Sequence, residues 1–365
     1  MKTLNLYVTK SFIATFCMSI GILTFGMMGG RLMKIFEMIS NGLPVTAVLK
    51  FMLYIGPLVF SMSIPFAVLV SVMLVFGRLS ADSEITAMRA CGISILQIVS
   101  PIILMVFFLT CVCLYLQMDI VPYSTWKADS FIKQVGLDQP SSILEPGRTI
   151  EYKKVYRIYI DSKEKDDLRN IQVFMMGEKK DKDSVKNDIT APHGKITVDK
   201  KNEILTVTLF DATIVDFENG RPKDRTFSKE FSFTIDYGKE FNSISVAKDV
   251  DNLSFSEIFG RAIMNKRSGK DNTKVEVELN QRIALALAPI AFMLLGMPLA
   301  IRTSRRETSI GLFLSVILGG VYISLVMICR ALSNYPQYYP QALLWIPCIV
   351  YQLCGTYFIF KIAQR

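Results

Sequence analysis

The sequence predicts an α-helical integral membrane protein with six transmembrane helices and an inserted periplasmic all-β, jellyroll-like domain. Three observations predict it. The chain contains six long charge-free apolar runs, one polar middle segment whose apolar residues alternate with the period of strands, and an uneven distribution of basic residues among the short connections.

The charge-free runs are Ser11–Gly30, Phe51–Gly77, Ala90–Met118, Ile283–Ile301, Thr308–Cys329 and Ala331–Phe360. Each approaches or exceeds the ~20 residues a helix needs to cross a bilayer. Buried helices of a soluble domain rarely stay uncharged for so long, and six such runs exclude that reading. The first run follows the short basic "MKTLNLYVTK", as a signal peptide would, but it is too long for one. It also ends in "GMMGGRLMK" without a small-x-small cleavage pattern, so it reads as the first crossing.

Residues 1–118 thus hold crossings one to three, residues 119–279 the inserted domain, and residues 280–365 crossings four to six. The insert carries 28 of the 32 acidic residues and 27 of the 41 basic ones. The formal charge of +9 therefore belongs to the membrane part and gives no reason to expect nucleic acid. With the N-terminus inside, the cytoplasmic side receives Lys2, Lys10, Arg78, Arg89, Arg302, Arg305, Arg306, Lys361 and Arg365. The outer short connections receive Arg31, Lys34, Lys50 and Arg330. The asymmetry places both termini in the cytoplasm and residues 119–279 outside it.

Inside the insert, "GKITVDKKNEILTVTLFDATIVDF" puts Ile196 and Val198, then Leu205, Val207 and Leu209, on alternate positions, with "DKKNE" as a turn. "VYRIYI", "IQVFMM" and "KEFSFTID" are further short strands, the first two separated by "DSKEKDDLRN". Short strands joined by polar turns predict an antiparallel sandwich or jellyroll; the alternation leaves open whether the apolar face is packed or lines a cleft. His193, the single histidine, stands in "TAPHGK" and reads as an exposed turn residue without a metal-binding companion. All seven cysteines lie in or beside the membrane runs, so the insert holds together without disulfides.

No GxxxxGK[ST] phosphate loop occurs, and the short cytoplasmic connections leave no room for a nucleotide-binding domain, so ATP would be hydrolysed by another polypeptide. The membrane runs contain no carboxylate to relay protons, which weakens ion coupling.

Between the second and third crossings stands "SADSEITAMRACG", residues 80–92, a polar helix-favouring stretch on the cytoplasmic side. Ser80 or Asp82 can cap a short helix at about 80–91, Asp82 and Glu84 suit its positive end, and Gly92 follows its last turn. Ile85 and Met88 share a face, and Glu84 and Arg89 flank it. So short a helix needs a surface to dock on, either lipid or a soluble motor subunit.

"GRLSADSEITAMRACGIS", "ELNQRIALALAPIAFMLLGMPLAI" and "RRETSIGLFLSVILGGVYISLVMICRAL", in this order and spacing, resemble the signature regions of the LptF/LptG (YjgP/YjgQ) family of lipopolysaccharide export permeases. The resemblance covers essentially the whole chain. It implies a half-permease in the inner membrane of a Gram-negative bacterium, without a bound cofactor of its own. Its implied partners are a paralogous permease subunit, two copies of a cytoplasmic ABC ATPase that uses the ATP, a single-span periplasmic jellyroll subunit and a soluble periplasmic bridge; the cargo is lipopolysaccharide. It further implies that Asp82, Glu84, Ile85, Met88 and Arg89 form the helix coupled to the ATPase. Arg31 and Lys34, at the outer end of the first crossing, fall where family members present cations to lipid A phosphates. The alternative is a membrane scaffold or assembly protein with an exported β domain and no translocation activity.

Overall fold

The computed structural model describes residues 2–40, 45–138, 147, 149–152, 156–164, 166–176, 185–199, 202, 204–218, 221–236, 248–269, 271–303 and 308–363. Its helices are α1 (Lys2–Ser40), α2 (Val45–Ala81), α3 (Glu84–Ala90), α4 (Ile95–Tyr115), α5 (Val121–Asp138), α6 (Phe255–Arg267), α7 (Thr273–Thr303), α8 (Thr308–Ala331), the one-turn α9 (Pro340–Leu343) and α10 (Trp345–Ala363). Among the described residues six spans are long and apolar enough to cross a membrane: 3–30, 45–81, 95–131, 273–302, 310–334 and 340–362. The chain divides into two compact units, one of residues 1–33, 52–128 and 248–365 and one of residues 34–51 and 129–247.

In the helical unit α2 and α7 are the most enclosed spans, with 67% and 72% of their most apolar windows buried against 11% for the first span. Their side chains meet those of α4, α8 and α10 in one core that includes Phe12, Leu69, Phe76, Ile98, Phe292 and Tyr322. Helices in lipid gain little from burying apolar area, so close packing and interhelical hydrogen bonds must hold them together. Both are present. Phe292 of α7, Tyr322 of α8 and Tyr351 of α10 form an aromatic trio with ring centroids 4.9, 5.4 and 5.9 Å apart. The two tyrosine hydroxyls donate to helix carbonyls, Tyr322 to Ala284 at 2.9 Å and Tyr351 to Leu318 at 2.8 Å.

Helix prolines free carbonyls four residues back, and the bundle uses them. Pro65 in α2 leaves the Ser61 carbonyl without its helical donor, and the buried Cys113 thiol of α4 donates to it at 3.6 Å. Pro298 in α7 likewise releases the Leu294 carbonyl, against which α10 lies so closely that a Cβ on Gly355 would sit 2.5 Å from its carbon and oxygen.

A charge does not end the third crossing. The helix passes through Asp119 in a π-helical turn, Leu116–Ile120, and continues as α5 to Asp138. The wider turn ends two residues before Pro122, whose ring and missing N–H disfavour a regular α-turn over the residues preceding it.

The second unit contains a six-stranded sheet: β1 (Thr149–Tyr152), β2 (Tyr156–Glu164), β3 (Asp167–Met176), β4 (Val185–Asp199), β5 (Ile204–Glu218) and β6 (Arg221–Asp236). Every neighbour is antiparallel and the order is sequential among the described residues, in keeping with the all-β insert the alternation predicts. At the expected turn "DKKNE", Asp199 pairs with Ile204 and Asn202 Nδ2 donates to Asp199 Oδ2 at 2.7 Å; Lys200, Lys201 and Glu203 lie outside the described residues. The polar "DSKEKDDLRN" is mostly strand, since β2 runs to Glu164 and β3 begins at Asp167; Asp161, Asp167 and Arg169 are exposed, and Lys163, opposite the buried Leu168, is half-buried.

The alternation slips at one row across the sheet. Leu168 and Ile171, Ala191 and Gly194, Leu209 and Ala212 are buried, and each pair encloses two consecutive exposed residues. Those exposed pairs are in register, Arg169 opposite His193 and His193 opposite Phe210. Asn170 and Asp211 take left-handed φ values of 50° and 52°, and Pro192 lies between them without a donor to offer. A slip in a single strand would turn its apolar residues outward. Made in three adjacent strands at one row, it creases the sheet and keeps one apolar face, with Leu168, Ile196 and Leu209 on one side of the crease and Ile158, Val173, Ile189 and Ile214 on the other. His193 is therefore exposed, as expected, but stands in β4 at the crease and not in a turn.

Candidate functional site

Residues 80–92 form a strap across one end of the helical unit. The predicted caps are not those used: Ser80 Oγ donates to the Ile301 carbonyl at 2.8 Å, and the Asp82 N–H donates back to Arg78. Ser83, with φ 58°, is the N-cap and makes no side-chain bond, because α2 runs to Ala81 and leaves room for only a left-handed corner before α3. The C-terminal end is as the sequence indicates. Gly92, with φ 82°, donates to the Arg89 carbonyl at 2.9 Å and Ile93 donates to the Met88 carbonyl at 3.1 Å, the paired bonds of a Schellman motif.

Ile85 is buried in the helical core and Met88 packs against it, so the apolar face of α3 is occupied by the chain's own helices. Glu84 is half-buried and accepts a hydrogen bond from the Tyr7 hydroxyl of α1 at 3.2 Å. Arg89 is half-buried, whereas Asp82 and Ala87 are exposed. The strap thus grips three helices: α2 by continuity, α1 through Tyr7–Glu84, and α7 through Ser80–Ile301. A seven-residue helix that could not persist alone is held by those contacts, with Thr86, Ala87 and Ala90 exposed on its other side.

Beside the strap is a cavity of about 770 Å³, lined by Ile85, Thr86 and Arg89 of α3, by Leu299 and Arg302 of α7 and by Phe358 and Lys361 of α10, among others. Among the described residues no group of three or more histidine, cysteine or acidic side chains could hold a metal ion.

Arg31 and Lys34 lie on α1, whose helix runs through both, three positions apart on one face; their side chains lie outside the described residues. Ile196, Leu205, Val207 and Leu209 are all buried in the core of the sheet, and Val198 packs against it, so these residues form a packed face.

Sequence reasoning missed a buried ionic cluster at the start of α7. Arg282, 4% exposed, donates through Nε to Glu278 at 2.8 Å and through its two terminal nitrogens to the Leu253 and Asp251 carbonyls at 2.7 Å each. Arg330, at the end of α8, bonds Asp251 at 2.6 Å and lies 3.8 Å from Glu278. Thr125 Oγ1 of α5 is 2.8 Å from Asn252 Oδ1, which brings the end of the third crossing to the same segment. The i, i+4 spacing of Glu278 and Arg282 in "ELNQR" was the available signal. Arg330, which the sequence reading assigns to the outer short connections, is paired with Asp251.

The family model described as "Lipopolysaccharide export system permease LptF/LptG" matches residues 6–361. No curated protein matches the chain.

Proposed function

Since the chain belongs to the LptF/LptG lipopolysaccharide export permease family, a transmembrane subunit without an ATPase domain, we propose that α3 is the element through which a separate cytoplasmic ATPase drives it. The scaffold alternative is thereby set aside. In this reading the chain is one half of a permease. It pairs with a paralogous subunit, binds two ATPase copies in the cytoplasm, and passes lipopolysaccharide from the inner membrane to a single-span jellyroll subunit and a soluble periplasmic bridge. Both termini and α3 are cytoplasmic, the sheet is periplasmic, and Arg31 and Lys34 meet the lipid A phosphates at the outer end of α1.

One observation supports the assignment of α3 above the rest. The strap is short, capped and bonded to two further helices, so a displacement applied to its outer face moves α1 and α7 together with α2. A loop would absorb that displacement. Asp82 and Glu84 offer the ATPase negative charge, Ile85 and Met88 fix the helix to the bundle, and Arg89 adds a cation to the same element.

The test separates internal from external roles of Glu84. In the purified complex Glu84→Ala removes both the Tyr7 bond and any contact with the ATPase, whereas Tyr7→Phe removes only the former. Loss of one partner of a desolvated interfacial charge pair costs ~2–5 kcal/mol. Glu84→Ala is therefore expected to lower ATPase co-purification well below that of Tyr7→Phe. Equal retention in the two variants would overturn the coupling role of Glu84.

A further inference from the structure

We propose that the cavity behind α3 is a binding site for an anionic phospholipid, with its phosphate held by Arg89, Arg302 and Lys361. Each of these cations stands in the last turn of a different helix, α3, α7 and α10 respectively, and all three line one cavity. A cation in a last turn is favourable to its own helix dipole, which accounts for each residue taken singly. It does not account for their convergence. Three like charges around one space repel, and among the described residues no acidic side chain lines the cavity. An anion relieves that repulsion, and Arg and Lys at close quarters give a phosphate charge-assisted hydrogen bonds.

The remaining lining says what kind of anion. Ile85, Leu299 and Phe358 form an apolar wall, and Ser83 and Thr86 add hydroxyls near the cations. A free phosphate has no use for the wall. A glycerophospholipid uses both, with its phosphate among the cations and the first carbons of an acyl chain along the wall. The cavity of about 770 Å³ is in the range of small-ligand pockets and admits such a headgroup. Its position at the ends of two membrane spans puts the phosphate at headgroup level, where basic pockets between helices take anionic lipids. This argument needs the helix ends to lie at a membrane face and does not depend on which face, so it stands apart from the assignment of α3 to the ATPase.

The experiment uses the full complex, purified in detergent and placed in nanodiscs of phosphatidylethanolamine with or without phosphatidylglycerol, and read by native mass spectrometry. The wild type is expected to retain phosphatidylglycerol through delipidation, and Arg302→Gln/Lys361→Gln to lower that retention about tenfold or more, the effect of losing ~1.4 kcal/mol or more of binding. The charge-preserving Arg302→Lys/Lys361→Arg should recover most of it. Unchanged lipid retention in the neutral double variant would overturn the proposal. So would displacement of the lipid by inorganic phosphate at equal concentration, which would make the cavity a site for small anions. Loss of the ATPase from the double variant with lipid retained would also overturn it, making the cavity a dock for an acidic protein side chain.

Discussion

Replacing Arg282 by methionine, which keeps an unbranched apolar stem and loses the guanidinium, should destabilise the helical unit severely. The guanidinium is 4% exposed and makes three bonds, to one carboxylate and two backbone carbonyls. Methionine supplies none of them. The Leu253 and Asp251 carbonyls lose their buried donor, and Glu278, with its side chain 11% exposed, keeps among the described residues the Arg330 cation at 3.8 Å. Breaking one side of a buried ion pair costs about 3–5 kcal/mol, most of it from the charge left behind. At roughly 2–4 °C per kcal/mol for a chain of this order of size, the apparent unfolding temperature should fall by about 6 °C or more. The assay is the fraction of detergent-purified protein that stays monodisperse after heating. Adding Glu278→Gln to the variant should restore part of the loss, because the orphaned charge is removed. A shift within error for Arg282→Met, or no recovery in the double variant, would refute the view that this cluster holds residues 251–253 to α7 and α8.

Three other outcomes are expected. Gly355→Ala places a methyl against the Leu294 backbone, which cannot rotate away, and should cost ~1–3 kcal/mol as overpacking, read as a lower heating midpoint, while Gly320→Ala, with open space around it, should not. Asp211→Gly should be tolerated and Asp211→Val should cost ~1–2 kcal/mol, because the crease needs a left-handed residue there; equal stability of the two in the purified chain would contradict the crease. Glu257 is held below the usual carboxylate range by Lys248, 2.7 Å away, and by the Ser254 N–H. A depressed folded value means that the cap of α6 contributes fully above the ordinary glutamate value of about 4.3 and loses its contribution as pH falls through the folded value. Proteolysis at 254–258 should therefore increase on acidification in the wild type and be independent of pH in Glu257→Gln.

The helices were legible because lipid imposes a rule on sequence that packing does not: a span must be uncharged along its length. That rule gives apolar cores and not helix ends. Asp119 ended the charge-free run, yet the helix continues through it to Asp138, since a charge interrupts an apolar pattern without interrupting the backbone hydrogen bonds of a helix. In the sheet the alternation was readable from Ile196 to Leu209 and stopped being so at Phe210 and Asp211, where two consecutive residues face outward. A slip of this kind looks in sequence like the end of a strand; only the matching slips in β3 and β4 reveal a crease. For α3, the pairing of Ile85 with Met88 and the glycine stop were local and visible. The bonds that fix it, Tyr7 to Glu84 and Ser80 to Ile301, join residues 77 and 221 positions apart and carry no local mark. The same holds for Arg302 and Lys361, which read as ordinary cytoplasmic anchors until three helix ends meet at one cavity.

The central claim is that this chain moves lipopolysaccharide through force received at α3. It is tested most directly by reconstituting the chain with its paralogous subunit and the ATPase in liposomes loaded with lipopolysaccharide. The measurement is transfer to a soluble periplasmic acceptor as ATP is hydrolysed. The account predicts ATP-dependent transfer by the wild type and, for Glu84→Ala, transfer reduced together with hydrolysis coupled to it. Lipopolysaccharide delivered at the wild-type rate by complexes carrying Glu84→Ala, or sustained hydrolysis in the wild type with no lipopolysaccharide delivered, would contradict it.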